Sequence, residues 1–187
     1  MTAKNKFPVL KTDRLILSKP LVSDVPDIVR QANNKKIEAF TLNIPHPYSE
    51  DDAVSWLNMI NQGWNEGSQV TFKVSTKTDK EFIGAIGLKI NKRFNHAELG
   101  YWLGEDFWGA GFITEAIGAI LNYGFNQLNL HKIHAHYMEG NPASGKVMEK
   151  NGMIREAELK DHVKKDGKYL SIIQYRLTQE EYKSIIK

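Results

Sequence analysis

The sequence predicts an α+β fold, in which a mostly antiparallel, mixed sheet of seven strands is flanked by helices. Between residues 69 and 103, three segments with alternating apolar residues follow one another across short polar turns, which is typical of an antiparallel meander. A helical pattern then lies between two strand patterns and predicts one β-α-β crossover. The chain has 187 residues, of which 41% are hydrophobic, and this is enough for one core.

The first half of the chain predicts one strand, two helices and the meander. Alternating leucines predict a strand over Arg14–Ser18. Ser23 and Ser49 are typical N-caps, because each precedes apolar residues at helical spacing, and Gly67 is expected to end the second helix. The meander strands are expected at Gln69–Ser75, Phe82–Ile90 and Ala97–Leu103.

The second half predicts a helix, a strand, a second helix and a closing hairpin. Pro142 suits the first position of a helix, and the Asp166-Gly167 pair is a strong signal for a tight hairpin turn. We expect one domain over residues 12–178, followed by a tail, 179–187, that is compatible with a short helix. The elements are expected at Thr114–Leu128, Lys132–Tyr137, Pro142–Gly152, Met153–Lys160 and Tyr169–Leu177.

Composition excludes several classes of protein. The 25 Lys and Arg residues are interleaved with 22 Asp and Glu residues, and the net charge of +3 argues against a nucleic-acid-binding protein. The absence of cysteine excludes disulfides, thiolate zinc sites and cysteine nucleophiles. The first 11 residues contain no apolar stretch of signal-peptide length, and no segment is apolar enough to span a membrane. We therefore expect a cytoplasmic protein.

The segment Trp108–Ala116 carries two glycines between a predicted strand and a predicted helix. Glycines let the backbone approach a ligand closely, and the free N–H groups of a first helical turn bind phosphate without a basic side chain. An ordinary loop with Thr114 as the N-cap explains the same residues. The spacing is not that of a P-loop, and the preceding meander is wrong for a Rossmann unit.

A second segment, from Asn141 to Gly152, also follows a predicted strand and begins a helix. The Asn141 side chain suits either a helix cap or a hydrogen bond to a ligand. Taken alone, this segment does not separate the two interpretations.

Together these segments resemble the GNAT superfamily and, within it, the ribosomal-protein N-acetyltransferases of the Rim type. The resemblance covers residues 12–178, which would form one N-acetyltransferase domain. It implies acetyl-CoA as the co-substrate, no metal and an amine acceptor. Four stretches carry it in matching order and spacing, namely Thr12–Leu17, Ala97–Leu103, Trp108–Ala116 and Asn141–Ile154.

The resemblance implies a cofactor site on three segments. The backbone of one strand would pair with the pantetheine arm, the glycine turn would bind the pyrophosphate, and Asn141 would contact the pantetheine or the acetyl end. The sequence departs from the wider superfamily at Trp108, where Gln or Arg is usual, and at Ile113, where a small residue is usual. The implied residues are Tyr101, Trp102, Leu103, Trp108, Gly109, Ala110, Gly111, Phe112, Ile113, Thr114 and Asn141.

Glu98 and Ser144 are the candidate catalytic residues. Glu98 shares a strand face with Gly100 and Trp102, where a carboxylate can accept the proton of an acceptor amine. A solvated or salt-bridged Glu98 is the alternative. Ser144 is a candidate hydrogen-bond or proton donor to the coenzyme sulfur, or else a serine on the helix surface. Tyr137 is a further candidate acid, for which packing is the better explanation.

The histidines do not follow a recognised metal spacing. His134 and His136 share one strand face without a cysteine or acidic cluster nearby, so we expect structural or substrate-lining roles. His46 lies between two prolines in a loop that borders the expected acceptor groove. Trp56 and Trp64 are expected in the core.

The leading hypothesis is therefore acetyl transfer from acetyl-CoA to a primary amine. The resemblance suggests a protein N-terminal α-amino group as the acceptor, while polyamines and aminoglycosides stay open because a fold does not determine its substrate. A catalytically inactive acetyl-CoA-binding module and a ribosome-associated interaction protein are the rival hypotheses. A homodimer also stays open.

Overall fold

The computed structural model describes residues 6–186, which form one eight-stranded sheet with six α-helices. The strands are β1 (Leu10–Lys11), β2 (Leu15–Ser18), β3 (Gln69–Thr76), β4 (Phe82–Asn91), β5 (His96–Leu103), β6 (Lys132–Met138), β7 (Ile154–Lys165) and β8 (Lys168–Thr178). The helices are α1 (Val25–Ala32), α2 (Lys35–Ala39), α3 (Glu50–Glu66), α4 (Phe112–Asn126), α5 (Pro142–Lys150) and α6 (Gln179–Ile185).

The sheet is mixed, with the order β1-β2-β3-β4-β5-β6-β8-β7. Neighbouring strands are antiparallel except β5 and β6, which are parallel and joined by α4. The predicted α+β fold and its single β-α-β crossover are confirmed. The sheet has eight strands where seven were expected, because the two residues of β1 are too few to show a period. The five-residue helix α2 escaped prediction for the same reason.

Most helix ends follow the predicted chemistry. The Ser49 hydroxyl accepts a hydrogen bond from the Asp52 amide, and Gly67 ends α3 with a left-handed φ of 64°. The turn between β7 and β8 has φ values of 49° at Asp166 and 79° at Gly167, as the tight hairpin required.

The start of the first helix differs from the prediction. Ser23 lies inside a 3₁₀ turn, Val22–Asp24, and α1 begins only at Val25. Asp24 precedes the helix, and its carboxylate accepts a hydrogen bond from the Leu21 amide at 2.7 Å. The prediction of Ser23 as an N-cap was wrong because Asp24, two residues before a proline, takes over the beginning of the helix.

Two apolar clusters hold the helices on the sheet. The larger cluster packs α4 against the sheet, with Ile117, Ile120 and Phe125 fully buried. The smaller one packs α1 and α3 with Phe82 and the partly buried Trp102. Trp56 and Trp64 pack against the cores, as predicted, in half-buried positions. No helix within residues 6–186 is long and apolar enough to cross a membrane.

Candidate active site

The parallel strands β5 and β6 separate partway along their length. Their ladder joins only His96–Glu98 to Lys132–His134, and the strands then diverge towards their carboxyl ends. The rest of β5, Leu99–Leu103, is paired with β4 on one side and has no strand partner among the described residues on the other. We call this opening the split. Ligands of parallel strands bind at such carboxyl ends, and both α4 and α5 begin there.

The first turn of α4 faces the split with free backbone donors. Gly109 and Gly111 have φ values of 76° and 79°, which other residues adopt only with strain. Gly111 is the N-cap residue of α4, and no side chain within residues 6–186 caps the helix. The amides of the first turn therefore lack partners and point outward, as an anion site requires. Thr114 lies within this turn and does not cap it, so the prediction of Thr114 as the N-cap was wrong.

An ion pair that the sequence analysis missed anchors this turn. The Arg14 guanidinium donates to the Ala110 carbonyl at 2.9 Å and to the Glu115 carboxylate at 2.6 Å. The Glu115 carboxylate also accepts from the Arg14 amide at 2.8 Å and from the Thr12 hydroxyl at 2.5 Å. Arg14 lies over the Phe112 ring, 4.5 Å from its centroid. The signal in the sequence that could have revealed this pair is the opposite charge of Arg14 and Glu115, which lie in two of the stretches that resemble the family.

The same contacts explain the ionisation of Glu115. Partial burial alone would raise the pKa of this carboxyl, but hydrogen bonds from Thr12 and Arg14 outweigh burial and hold the pKa below its usual value. Glu115 therefore stays ionised near neutral pH, and the turn stays attached to the segment between β1 and β2.

The bulky residues of the turn lie beside the two glycines. The Trp108 indole donates to the Leu103 carbonyl at 2.8 Å, which ties the turn to the end of β5, while 42% of Trp108 stays exposed. Phe112 and Ile113 pack against the core. The unusual Ile113 thus packs its partly buried side chain against the core.

The two candidate catalytic side chains approach the split from opposite faces of the sheet. Tyr101 and Leu103 alternate with Trp102 along β5, and Tyr101 packs on the α4 face, where its hydroxyl lies 2.7 Å from the Ser144 Oγ. Glu98 belongs to the other face, together with the exposed Gly100. A Cβ atom added at Gly100 would meet nothing within 4 Å, so there is open space beside Glu98.

The pair of hydroxyls on the α4 face stays protonated. Burial raises the pKa of Tyr101 to about 12, and the hydrogen bond to Ser144 offsets only part of this rise. Tyr101 therefore serves as a neutral hydrogen-bonding partner that orients Ser144. Tyr137 packs against α5, because a Cβ atom at Gly145 would lie 2.8 Å from its ring.

Asn141 begins α5 in the manner predicted for a cap. Its Oδ1 atom accepts a hydrogen bond from the Ser144 amide at 3.3 Å. The Nδ2 atom makes no hydrogen bond to any residue in the described range 6–186. The cap uses only the oxygen, so the amide donors are still available to a ligand.

We call the sheet face that carries Glu98 and Gly100 the open face. On it, Glu98 lies near several histidines. The Glu98 Oε1 atom is 3.4 Å from the His136 Nδ1 atom, and in the ladders Glu98 lies opposite Lys89 and His134. The His96 and His134 rings are 5.3 Å apart in an edge-to-face arrangement. Three or more potential ligands placed to hold a metal ion are not found among residues 6–186.

Helix α2 contacts both the segment after β5 and the β7–β8 hairpin. Lys36 and Asn34 bind the Glu105 carboxylate, just after β5, and the Asn34 bond measures 2.8 Å. Lys165, at the tip of the β7–β8 hairpin, pairs with Glu38 and donates to the Thr41 carbonyl at 3.2 Å. We call these contacts the α2 clamp. The clamp links the end of β5 to the hairpin tip and was not foreseen, since α2 itself was not.

The family model described as an acetyltransferase (GNAT) domain matches residues 14–154. This chain belongs to the GNAT acetyltransferase family. It is an acetyl-CoA-dependent N-acetyltransferase, and the predicted family is confirmed. An uncharacterized N-acetyltransferase of Bacillus licheniformis, p20, is 30% identical over 174 residues, which are 92% of this chain and 97% of that protein.

Other relatives have named acceptors. The [Ribosomal protein uS5]-alanine N-acetyltransferase of Escherichia coli is 30% identical over 128 residues, 67% of this chain and 66% of that protein. A structure of RimL, a ribosomal L7/L12 alpha-N-protein acetyltransferase in complex with coenzyme A, superposes with a TM-score of 0.84. That superposition covers 91% of this chain and 98% of RimL at 18% identity, and it concerns the fold alone.

Proposed function

We propose that this GNAT enzyme acetylates the α-amino group of a protein N-terminus. The observation that carries the proposal is the split, which opens between β5 and β6 beside the uncapped first turn of α4. The acceptor is inferred from the relative that acts on ribosomal protein uS5. The cytoplasmic location expected from the sequence is part of this proposal.

The described residues fit acetyl-CoA. The amides of Gly111–Thr114 would hold the pyrophosphate, and the free edge of Tyr101–Leu103 would pair with the pantetheine arm. The open space at Gly109, where a Cβ atom would meet nothing within 4 Å, leaves room for this approach. Trp108, Ala110, Phe112 and Ile113 would shape the turn, and the Asn141 amide would donate to the pantetheine.

Acetyl-CoA supplies the acetyl group as a thioester. In the transfer, the amine nitrogen bonds to the acetyl carbon, the carbon–sulfur bond breaks, the nitrogen loses a proton and the sulfur gains one. Glu98 would accept the amine proton from the open face, and Ser144 would donate to the sulfur from the α4 face. A free N–H group on β5 would stabilise the charge that develops on the carbonyl oxygen.

A small amine is the second candidate acceptor. The spermidine N(1)-acetyltransferase of Vibrio cholerae is 27% identical over 151 residues, 80% of this chain and 84% of that enzyme. The acidic residues Glu50 and Asp51 lie exposed in the first turn of α3, and Asp52 caps that helix. A polyamine site needs carboxylates in its groove. The position of these three residues is already explained by the helix, because acidic side chains are stabilising near a helix N-terminus.

An acceptor screen tests the proposal. The enzyme is incubated with acetyl-CoA and short peptides that have a free N-terminus and an internal lysine, with the same peptides formylated at the N-terminus, and with spermidine and an aminoglycoside. Free thiol and product mass are measured. We expect kcat/KM for free N-termini to exceed that for the other amines at least about tenfold.

Two outcomes would overturn the proposal. Preferred acetylation of spermidine, the aminoglycoside or the internal lysine would show a different acceptor class. A melting temperature raised by acetyl-CoA without thiol release from any acceptor would show an inactive binding module. Saturation at a hundredfold excess over Kd stabilises a protein by about 2.7 kcal/mol, so binding is measurable without turnover.

A further inference from the structure

A row of ionisable side chains crosses the open face of the sheet beside the split. His96 and Glu98 belong to β5, and His134 and His136 belong to β6. Their neighbours Ala97, Leu99, Ile133 and Ala135 are buried in the larger core on the opposite face. The alternation of the strands therefore gathers these four side chains on the face away from α4.

Glu98 and His136 flank the point where the strands part. Glu98 is the last residue of β5 paired with β6, and His136 is the first residue of β6 beyond the ladder on that face. The Oε1 and Nδ1 atoms lie 3.4 Å apart across the strands, with 39% of the Glu98 side chain and 27% of the His136 side chain exposed. Both groups are thus accessible from the face that also carries the open space at Gly100.

The other charged and polar groups near Glu98 and His136 are engaged elsewhere or lie farther away. Lys132 and Gln174, which is opposite His136 on β8, both bind Glu156. Arg176, opposite His134, is paired with Glu181 and Glu156. Lys89 lies opposite Glu98 on β4 but forms no ion pair with it. Within residues 6–186, His136 is the one basic group within 4 Å of the Glu98 carboxylate.

The row continues to an open cavity of about 650 Å³, which is lined by His96, Glu98, His134 and residues at the ends of α3 and β4. The Nδ1 atoms of His96 and His134 are buried and have no hydrogen-bond partner in the described chain. Burial lowers the pKa of His134, although nearby Glu98 raises it. Burial thus favours the neutral form of His134, which makes it a poorer proton acceptor than an exposed imidazole.

A carboxylate alone is a poor final acceptor for the proton of an amine. Free carboxyl groups titrate near pH 4.3 and free imidazoles near 6.5, so an imidazole matches neutral pH more closely. We propose that His136 is a positioning and relay residue, which orients Glu98 at the split and takes over the proton that Glu98 removes from the acceptor amine. The regenerated carboxylate then stabilises the imidazolium, and solvent at the exposed part of the His136 ring takes up the proton.

This inference rests on the proposed role of Glu98, and the experiment separates the two. His136→Asn keeps a polar group near the position of Nδ1 but removes a proton carrier. The matched control is His131→Asn, because His131 is exposed and lies directly before the start of β6. The rates of both variants and of Glu98→Gln are measured with an acceptor amine at saturating acetyl-CoA between pH 6 and 9.

We expect His136→Asn to lower kcat about 10- to 100-fold and to shift the acid limb of its pH profile, with KM for acetyl-CoA unchanged. The double variant with Glu98→Gln should lose little more than Glu98→Gln alone, because the residues act as a unit. His131→Asn should behave as the wild type. If the Glu98→Gln variant is impaired but the His136→Asn variant is as active as the wild type, the role of His136 is overturned and Glu98 is kept as the base.

A fully active Glu98→Gln variant would overturn both the pairing and the proposed base. NMR gives a readout that needs no turnover and no His136 variant. The ring ¹⁵N shifts of His136, which report its protonation, should change at pH 7 in Glu98→Gln, while those of His131 should not. Unchanged His136 shifts in a folded Glu98→Gln protein would contradict the pairing.

Discussion

On the proposed cofactor side of the split, which is the first turn of α4, the groups available to a ligand are backbone amides of one continuous turn, which Arg14 and Glu115 hold in place. On the proposed acceptor side, which is the face that carries Glu98, they are side chains of β5 and β6, bordered by the α2 clamp. The first side depends on backbone conformation, and the second depends on which side chains the tertiary structure brings together. Substitutions should therefore separate cofactor affinity from turnover.

The largest effect is expected on the acceptor side, from Glu98→Gln. If Glu98 accepts the amine proton, this change should lower kcat about 10²–10⁴-fold, with acetyl-CoA affinity nearly unchanged. Raising the pH should restore part of the rate, because more of the acceptor amine is then neutral. Steady-state rates of the folded variant between pH 6 and 9 check this. A rate within about threefold of the wild type throughout would remove Glu98 from the mechanism.

On the cofactor side, Gly111→Val should weaken acetyl-CoA binding. Gly111 has a φ of 79°, which a β-branched residue adopts only with strain, while a Cβ atom there would meet just the Arg14 Nη2 atom at 3.5 Å. Strain of about 1–3 kcal/mol corresponds to an affinity loss of roughly 5- to 140-fold if it is relieved by moving the turn. Titration calorimetry measures the affinity, and Gly167→Val in the hairpin turn is a control for strain away from the site.

A smaller effect is expected from Glu115→Gln, which weakens the anchor of the turn. The change should lower the free energy of unfolding by only about 1 kcal/mol, because the Arg14 guanidinium is partly exposed to solvent. Acetyl-CoA affinity should fall, while KM for the acceptor should change less. Because the folded pKa of Glu115 is depressed, its contribution is present above its unfolded pKa and is lost as the pH falls through the folded value. Denaturant melts from pH 7 to 3 should therefore have a shallower acid decline in the variant.

The smallest effect is expected from Lys165→Met in the α2 clamp. Removing one charge of a partly exposed pair should change stability by less than about 1 kcal/mol. KM for the acceptor should change a few-fold while acetyl-CoA affinity is preserved, because the clamp lies beside the open face. Lys164→Met on the same strand is the matched control. An altered acetyl-CoA affinity in the Lys165 variant would contradict the separation of the split into a cofactor side and an acceptor side.

The same division explains what the sequence could reveal. The glycine turn, the caps at Ser49 and Asn141 and the Asp166-Gly167 hairpin were predictable, since each depends on residues a few positions apart. The neighbours of Glu98 were not, because the parallel register that places His136 beside it joins segments about 40 residues apart in the chain. The roles of the individual site residues stay predictions for the experiments above.

The short parallel ladder between β5 and β6 also has a mechanical consequence. It divides the sheet into two blocks, β1–β5 and β6–β8, whose inner strands are joined by longer ladders. Helix α4 contacts strands of both blocks. Within the sheet, only the few backbone hydrogen bonds of this short ladder resist motion of one block against the other, and the packing of α4 and the α2 clamp add to that resistance. Stiffness across this ladder thus depends on buried side chains of α4 such as Ile117 and Ile120.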